Sequence, residues 1–79
     1  MIKNIIKNTN YEINIKLNYI HIINYIKIED ISFNNIKVLL NNKTINIKGE
    51  KLIITKLDEN EMLIKGIFKG IDFIDEWSS

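Results

Sequence analysis

The chain has one histidine, His21, and no cysteine. His21 sits between Ile20 and Ile22 and beside Tyr19 and Ile23, in a stretch of alternating polarity. With no serine or cysteine arrangement around it, a lone imidazole has neither a nucleophile to activate nor an acid to orient it. It is expected at a strand surface or rim. Oxygen ligands cluster at Asp58-Glu59-Asn60-Glu61, a group that could hold a loose Ca²⁺. It lacks the glycine-containing loop spacing of an EF-hand, so a polar hairpin loop is the expectation. Glu29 and Asp30 are adjacent, and on a strand they point to opposite faces, where they do not act together on one substrate. Asp72 and Asp75 flank the last apolar run and are expected to face water.

The same tests fail elsewhere. Gly49, Gly66 and Gly70 lack the spacing of a phosphate-binding loop and precede no helix. Zinc sites built on several thiolates or imidazoles are excluded by composition. The aromatics Tyr11, Tyr19, Tyr25, Phe33, Phe68, Phe73 and Trp77 invite comparison with a platform for single-stranded nucleic acid. However, no arginine and no basic run accompanies them, so they are read as core and interface packing. No catalytic residue, cofactor or metal is expected, and the chain is read as a non-enzyme.

The elements that position these residues follow from a period of two. Ile13, Ile15 and Leu17 alternate with polar residues, as do Ile20 and Ile22, Ile36, Val38 and Leu40, and Ile45 and Ile47. Alternation places one set of side chains on each face of a strand, and β-branched isoleucine suits a pleated surface. Asn34-Asn35 and Asn41-Asn42 supply turn chemistry, as does Asp58-Glu59-Asn60. The tripeptide Ile-Lys-Gly occurs at 47–49 and again at 64–66. The first copy is read as a strand end at a Gly49-Glu50 hairpin turn. The second is read as a bulge or close backbone approach at Gly66, and Gly70 as a bend before the last strand. The fold class is therefore all-β: a small antiparallel meander of seven or eight short strands, forming a sandwich or partly closed barrel.

Residues 11–75 are expected to form this single domain. Residues 1–10 precede it as a flexible or briefly helical segment, carrying Ile2, Ile5 and Ile6 on one helical face. Residues 76–79 follow as a tail, where Trp77 could fold back onto the sheet. Isoleucine, asparagine and lysine make up more than half the chain. All three have A/T-rich codons, so the skew is read as nucleotide bias and not as a demand of function. Net charge is +1, with both signs mixed along the chain, which sets up no strong field for nucleic acid or anionic lipid. No apolar run approaches the roughly 18 residues of a membrane span, and a cytoplasmic location is expected.

One feature stands above this background. Several strands are apolar on both faces: Ile53 and Leu57 oppose Leu52 and Ile54, and Leu39 opposes Val38 and Leu40. Ile23, Leu63 and Ile67 extend the second set. A sheet with one wet face does not alternate this way. A chain of 79 residues with no disulfide or metal is close to the size at which one core supplies only about 3–5 kcal/mol. The candidate interaction surface is thus Ile23, Leu39, Ile53, Leu57, Leu63 and Ile67, for a protein partner or a second copy of the chain.

From about Ile13 to Phe73 the chain resembles the YabP/YqfC family of sporulation proteins. Three stretches carry the likeness. They are Ile20-His21-Ile22-Ile23-Asn24-Tyr25; Ser32-Phe33-Asn34-Asn35 with Ile36-Lys37-Val38; and Ile47-Lys48-Gly49-Glu50-Lys51-Leu52 with Leu57-Asp58, Ile64-Lys65-Gly66, Ile71 and Phe73. The chain departs from the family where Ile26-Lys27 follow the Asn-aromatic pair in place of a glycine. The resemblance implies a non-enzymatic role in endospore formation and spore coat assembly, in the mother cell. It implies other sporulation proteins as partners, including a membrane-bound one that would bring the protein to the forespore membrane surface. It carries over structural turn residues only: Asn24, Gly49 and Gly66. The alternative function is a small β-barrel that binds nucleic acid, which salt-sensitive binding of single-stranded DNA would reveal.

Overall fold

In the computed structural model, which describes residues 10–75, the alternating runs become six strands and no helix. They are β1 (Glu12–Ile15), β2 (Tyr19–Ile23), β3 (Lys27–Ile31), β4 (Asn35–Leu40), β5 (Lys43–Leu57) and β6 (Glu61–Asp75). All pairings are antiparallel, within one sheet of order β1-β2-β6-β5-β4-β3. The sheet is open, with β1 and β3 at its edges among the described residues.

Six strands lie among the described residues, where seven or eight were expected along the chain, and the two longest runs are not divided. β5 and β6 are 15 residues each and pair along nearly their whole length. Gly49-Glu50 is therefore not a hairpin turn, and the first Ile-Lys-Gly does not end a strand. Gly70 likewise lies within β6, opposite Lys48, and marks no bend. What the two copies of the tripeptide share is a bulged region. Pairing shifts register between Lys48 and Gly49, between Glu50 and Ile53, and between Ile54 and Lys56. Lys51 has φ 56° and Gly66 φ 151°.

These bulges fold the sheet over. Ile23, at the end of β2, is opposite Glu61, beside the β5–β6 loop. Lys27, at the start of β3, is opposite Leu39, which is opposite Thr44 near the other end of β5. Along a straight strand, Thr44 and Leu57 would stand roughly 40 Å apart. Yet only residues 24–26 link Ile23 to Lys27, a reach of at most about 14 Å. The ribbon must double back, and bulges supply the local bend. Three hydrogen bonds tie the connection down: Asn24 N–H to Asn60 O (2.5 Å), Ile26 N–H to Leu39 O (2.8 Å), and the Tyr25 hydroxyl to Asp58 O (2.6 Å).

Folding over brings two apolar surfaces together. Ile20, Ile22, Met62 and Ile64 come from the β2–β6 half, and Ile36, Val38, Leu40, Ile45 and Ile47 from the β4–β5 half. With Leu52 at the bend they form one buried cluster. The burial of β2 and β4 alternates residue by residue, as a period of two requires. The expected N-terminal segment and the tail with Trp77 fall almost wholly outside the described residues. No helix among the described residues is long and apolar enough to cross a membrane.

Candidate functional site: an apolar groove at the bend

Two hairpins end around β5 and leave a hollow. The turn from β3 to β4 is held by Ser32. Its hydroxyl accepts from Asn35 N–H (3.0 Å) and lies 2.9 Å from Asn34 Oδ1. The tip of this hairpin reaches the bend, where Leu52 N–H donates to Phe33 O (2.8 Å) and Gly49 N–H to Asn34 O (3.1 Å). Regular pairing of β4 with β5 stops at Asn35 and Lys48. Beyond that point, no described strand pairs with the 53–57 segment of β5 on the side away from β6.

The result is a groove of about 650 Å³ lined by Ile31, Ser32, Phe33, Leu52, Ile53, Ile54 and Leu57. Phe33 is 76% exposed, Ile31 57%, Ile53 54% and Leu57 53%. Ser32 is the one polar lining residue, and its hydroxyl is already engaged in the turn. None of the lining side chains titrates. Such a surface can exclude water from an apolar partner, but it has no group that makes or breaks bonds.

The structure divides the sequence-predicted interaction residues. Ile53 and Leu57 line the groove. Leu63 is half-buried on β6 opposite His21 and Lys56, and Ile23 is half-buried on β2 opposite Glu61. Ile67 is exposed at the bend opposite Glu50, and Leu39 is half-buried on β4. These four do not meet in the groove. Leu57 also lies on a different face from the one expected. The bulge at Thr55 inverts the alternation, so Leu57 pairs with buried Met62 while Ile53 pairs with exposed Lys65. Ile31 escaped the sequence reading as an interaction residue, and Phe33 entered it only among the aromatics read as core and interface packing. The signal available was Phe33 placed in a Ser-Phe-Asn-Asn turn, where an aromatic has little to pack against.

The three turn residues are placed as follows. Asn24 has φ 65°, a left-handed conformation that asparagine tolerates, and its Nδ2 donates to Asn10 O (2.9 Å). Gly49 is buried within β5, where a Cβ would collide with the carbonyl oxygen of Ile67. At Gly66 a Cβ would stand 3.0 Å from Leu52 Cα. Both glycines are therefore close-approach residues at the bend.

Asp58, Glu61 and His21, among the polar candidates, have partners within the fold. Asp58 caps its own loop, accepting from Asn60 N–H (3.1 Å) and Glu61 N–H (3.0 Å). His21 Nε2 lies 2.6 Å from Glu61 Oε1, and Lys56 Nζ is 3.6 Å from the other oxygen of Glu61. This pairing joins residues 40 apart in sequence, which no spacing rule reaches. Among the described residues no cluster of three acidic or imidazole side chains has metal-holding geometry. Set against family models, curated proteins and solved structures, the chain matches none of them.

Proposed function

We propose that this protein is a non-enzymatic assembly module that works by burying apolar surface against other proteins. The observation that carries this is the groove. Four large apolar side chains at least half exposed, around a hollow with no free polar group, mark a contact surface. The bent sheet is read as the two leaves of a small sandwich, held together at the bend. Simple strand addition at an edge is disfavoured. β3 is bulged between Ile28 and Asp30 and carries Glu29 and Asp30, and β5 is bulged at Thr55. Bulges and edge charges blunt strand pairing, so side chains make the contact.

The resemblance of residues 13–73 to the YabP/YqfC family supplies the setting. In this reading the module acts in the mother-cell cytoplasm during endospore formation and coat assembly, and joins other sporulation proteins, including one at the forespore membrane. The test is to mix the purified protein with the soluble parts of sporulation proteins encoded beside its gene, and to follow complex mass by light scattering. A defined complex that Ile53→Asp abolishes is expected. A gene deletion that leaves coat assembly intact, together with no complex formed, would overturn the reading.

A further inference from the structure

The groove lies between two strand edges of the same sheet. We propose that these edges close on each other, Ile31 of β3 pairing with Ile54 of β5, so that the groove is the open state of a seam and offers its apolar lining only in that state. This rests on the reading of the groove as a contact surface, and adds how that surface is covered when no partner is bound.

Direction comes first. Leu52 N–H donates to Phe33 O at one end of the groove, and the Tyr25 hydroxyl donates to Asp58 O at the other. Residue numbers fall along one edge as they rise along the other. β3 and the 53–57 segment of β5 therefore run antiparallel, tied at both ends. Between the ties they are unpaired, since among the described strands β3 pairs with β4 alone.

Register comes second. Successive N–H groups of a strand point to alternate sides. Ser32 N–H is turned to β4, where it meets Asn35 O, so Ile31 N–H is turned away from β4. Leu52 N–H is turned to Phe33, so Ile54 N–H, two residues on, is turned the same way. Ile31 and Ile54 each stand two residues inside the Phe33–Leu52 tie. They are the next pair of a ladder whose first bond is already made.

The side chains are the third and independent observation. Residues opposite each other on paired strands project from one face. Ile31 is opposite Ile36, Ile54 opposite Ile64 and Leu57 opposite Met62, and Ile36, Ile64 and Met62 are fully buried. Register thus puts Ile31, Ile54 and Leu57 on the core face. Yet Ile31 and Leu57 are more than half exposed and Ile54 is only partly buried. They are core-facing residues that the gap leaves uncovered, and closing it takes them out of water. The chain has slack for the movement. From tie to tie β3 takes eight residue steps, 25 to 33, where β5 takes six, 52 to 58. Each strand carries one bulge, at Glu29 and at Thr55. The bulges prevent a continuous ladder, which keeps the closure local and reversible.

Cysteine cross-linking tests the proposal on a chain with no cysteine of its own. Once paired, positions 31 and 54 stand roughly 5.5 Å apart at Cα, within the span of a disulfide. The double variant Ile31→Cys with Ile54→Cys should oxidise within one chain about tenfold faster than Ile31→Cys with Ile53→Cys, whose second thiol faces away. The oxidised form should keep the circular dichroism spectrum of the reduced form. It should also bind the apolar dye anilinonaphthalene sulfonate at least about tenfold more weakly, because the open state is withdrawn. Equal oxidation rates overturn the proposal, and so does a locked form that takes up the dye unchanged. If the double variant does not fold, amide exchange in the parent decides. Ile54 N–H should exchange about tenfold or more slower than in an unstructured chain, and unslowed exchange overturns the proposal. A reduced variant that binds a sporulation protein but does not cross-link sinks the seam alone. A variant that cross-links but binds none in either form sinks the proposed function alone.

Discussion

At the scale of residues, Tyr25 shows how one side chain holds a crossing. Its hydroxyl donates to Asp58 O at 2.6 Å, tying the three-residue connection to the far loop. Burial, with the Asp58 carboxylate behind it, raises its pKa above the ordinary 10.0. The folded chain thus holds this proton more tightly than the unfolded chain. The contribution to stability is complete below pH 10.0 and is lost as pH rises above it. Lys43 acts in the same direction. Its hydrogen bond to Asp75 raises its pKa above 10.5, so its contribution also fades at high pH. Tyr25→Phe should cost about 0.5 kcal/mol at neutral pH, the low end for a lost hydrogen bond because water reaches the pair. The same variant should lose less stability between pH 9 and 11. Urea unfolding at both pH values measures this, and parallel losses in both proteins would refute the assignment. The turn at Asn42 was legible because asparagine's tolerance of positive φ is a local property. The face of Leu57 was not, because one bulged residue inverts every position after it.

At the scale of elements, the three glycines separate. In sequence Gly49 reads as a hairpin turn, Gly66 as a bulge or close approach and Gly70 as a bend. The structure gives them unequal work. A Cβ on Gly49 collides with backbone, one on Gly66 presses on Leu52, and one on Gly70 meets nothing within 4 Å. Gly49→Ala should therefore destabilise by more than about 2 kcal/mol, since backbone yields poorly. Gly70→Ala should fall within about 0.5 kcal/mol of the parent. Denaturation midpoints rank them, and a costly Gly70→Ala would contradict the register of β6. The alternation of β2 and β4, the loop at 58–60 and the hairpin at Asn41-Asn42 could be read directly, with Asn42 at φ 66°. Whether a glycine turns a hairpin or bends one depends on which strand lies beside it, and that partner is distant in sequence.

At the scale of the whole molecule, a core of ten residues among those described supports the fold, with no disulfide behind it. Truncating Ile47, fully buried at the meeting of β4, β5 and β6, should cost about 2–5 kcal/mol. That is as much as a domain of this size holds in total. Ile47→Ala should therefore be largely unfolded at 37 °C by circular dichroism, and a cooperative melt near that of the parent would argue against one shared core.

The all-β class, the apolar alternation, the main loops and the surplus of apolar surface could be read from residue order, because each is a property of neighbours two to four residues apart. That β5 and β6 are single bent strands, that His21 meets Glu61, and that Ile31 and Phe33 join Ile53 and Leu57 in one groove emerges only from the folded chain. Those outcomes depend on a short connection forcing a long hairpin to double back. Chain connectivity across the whole sheet sets that constraint, and no local pattern records it.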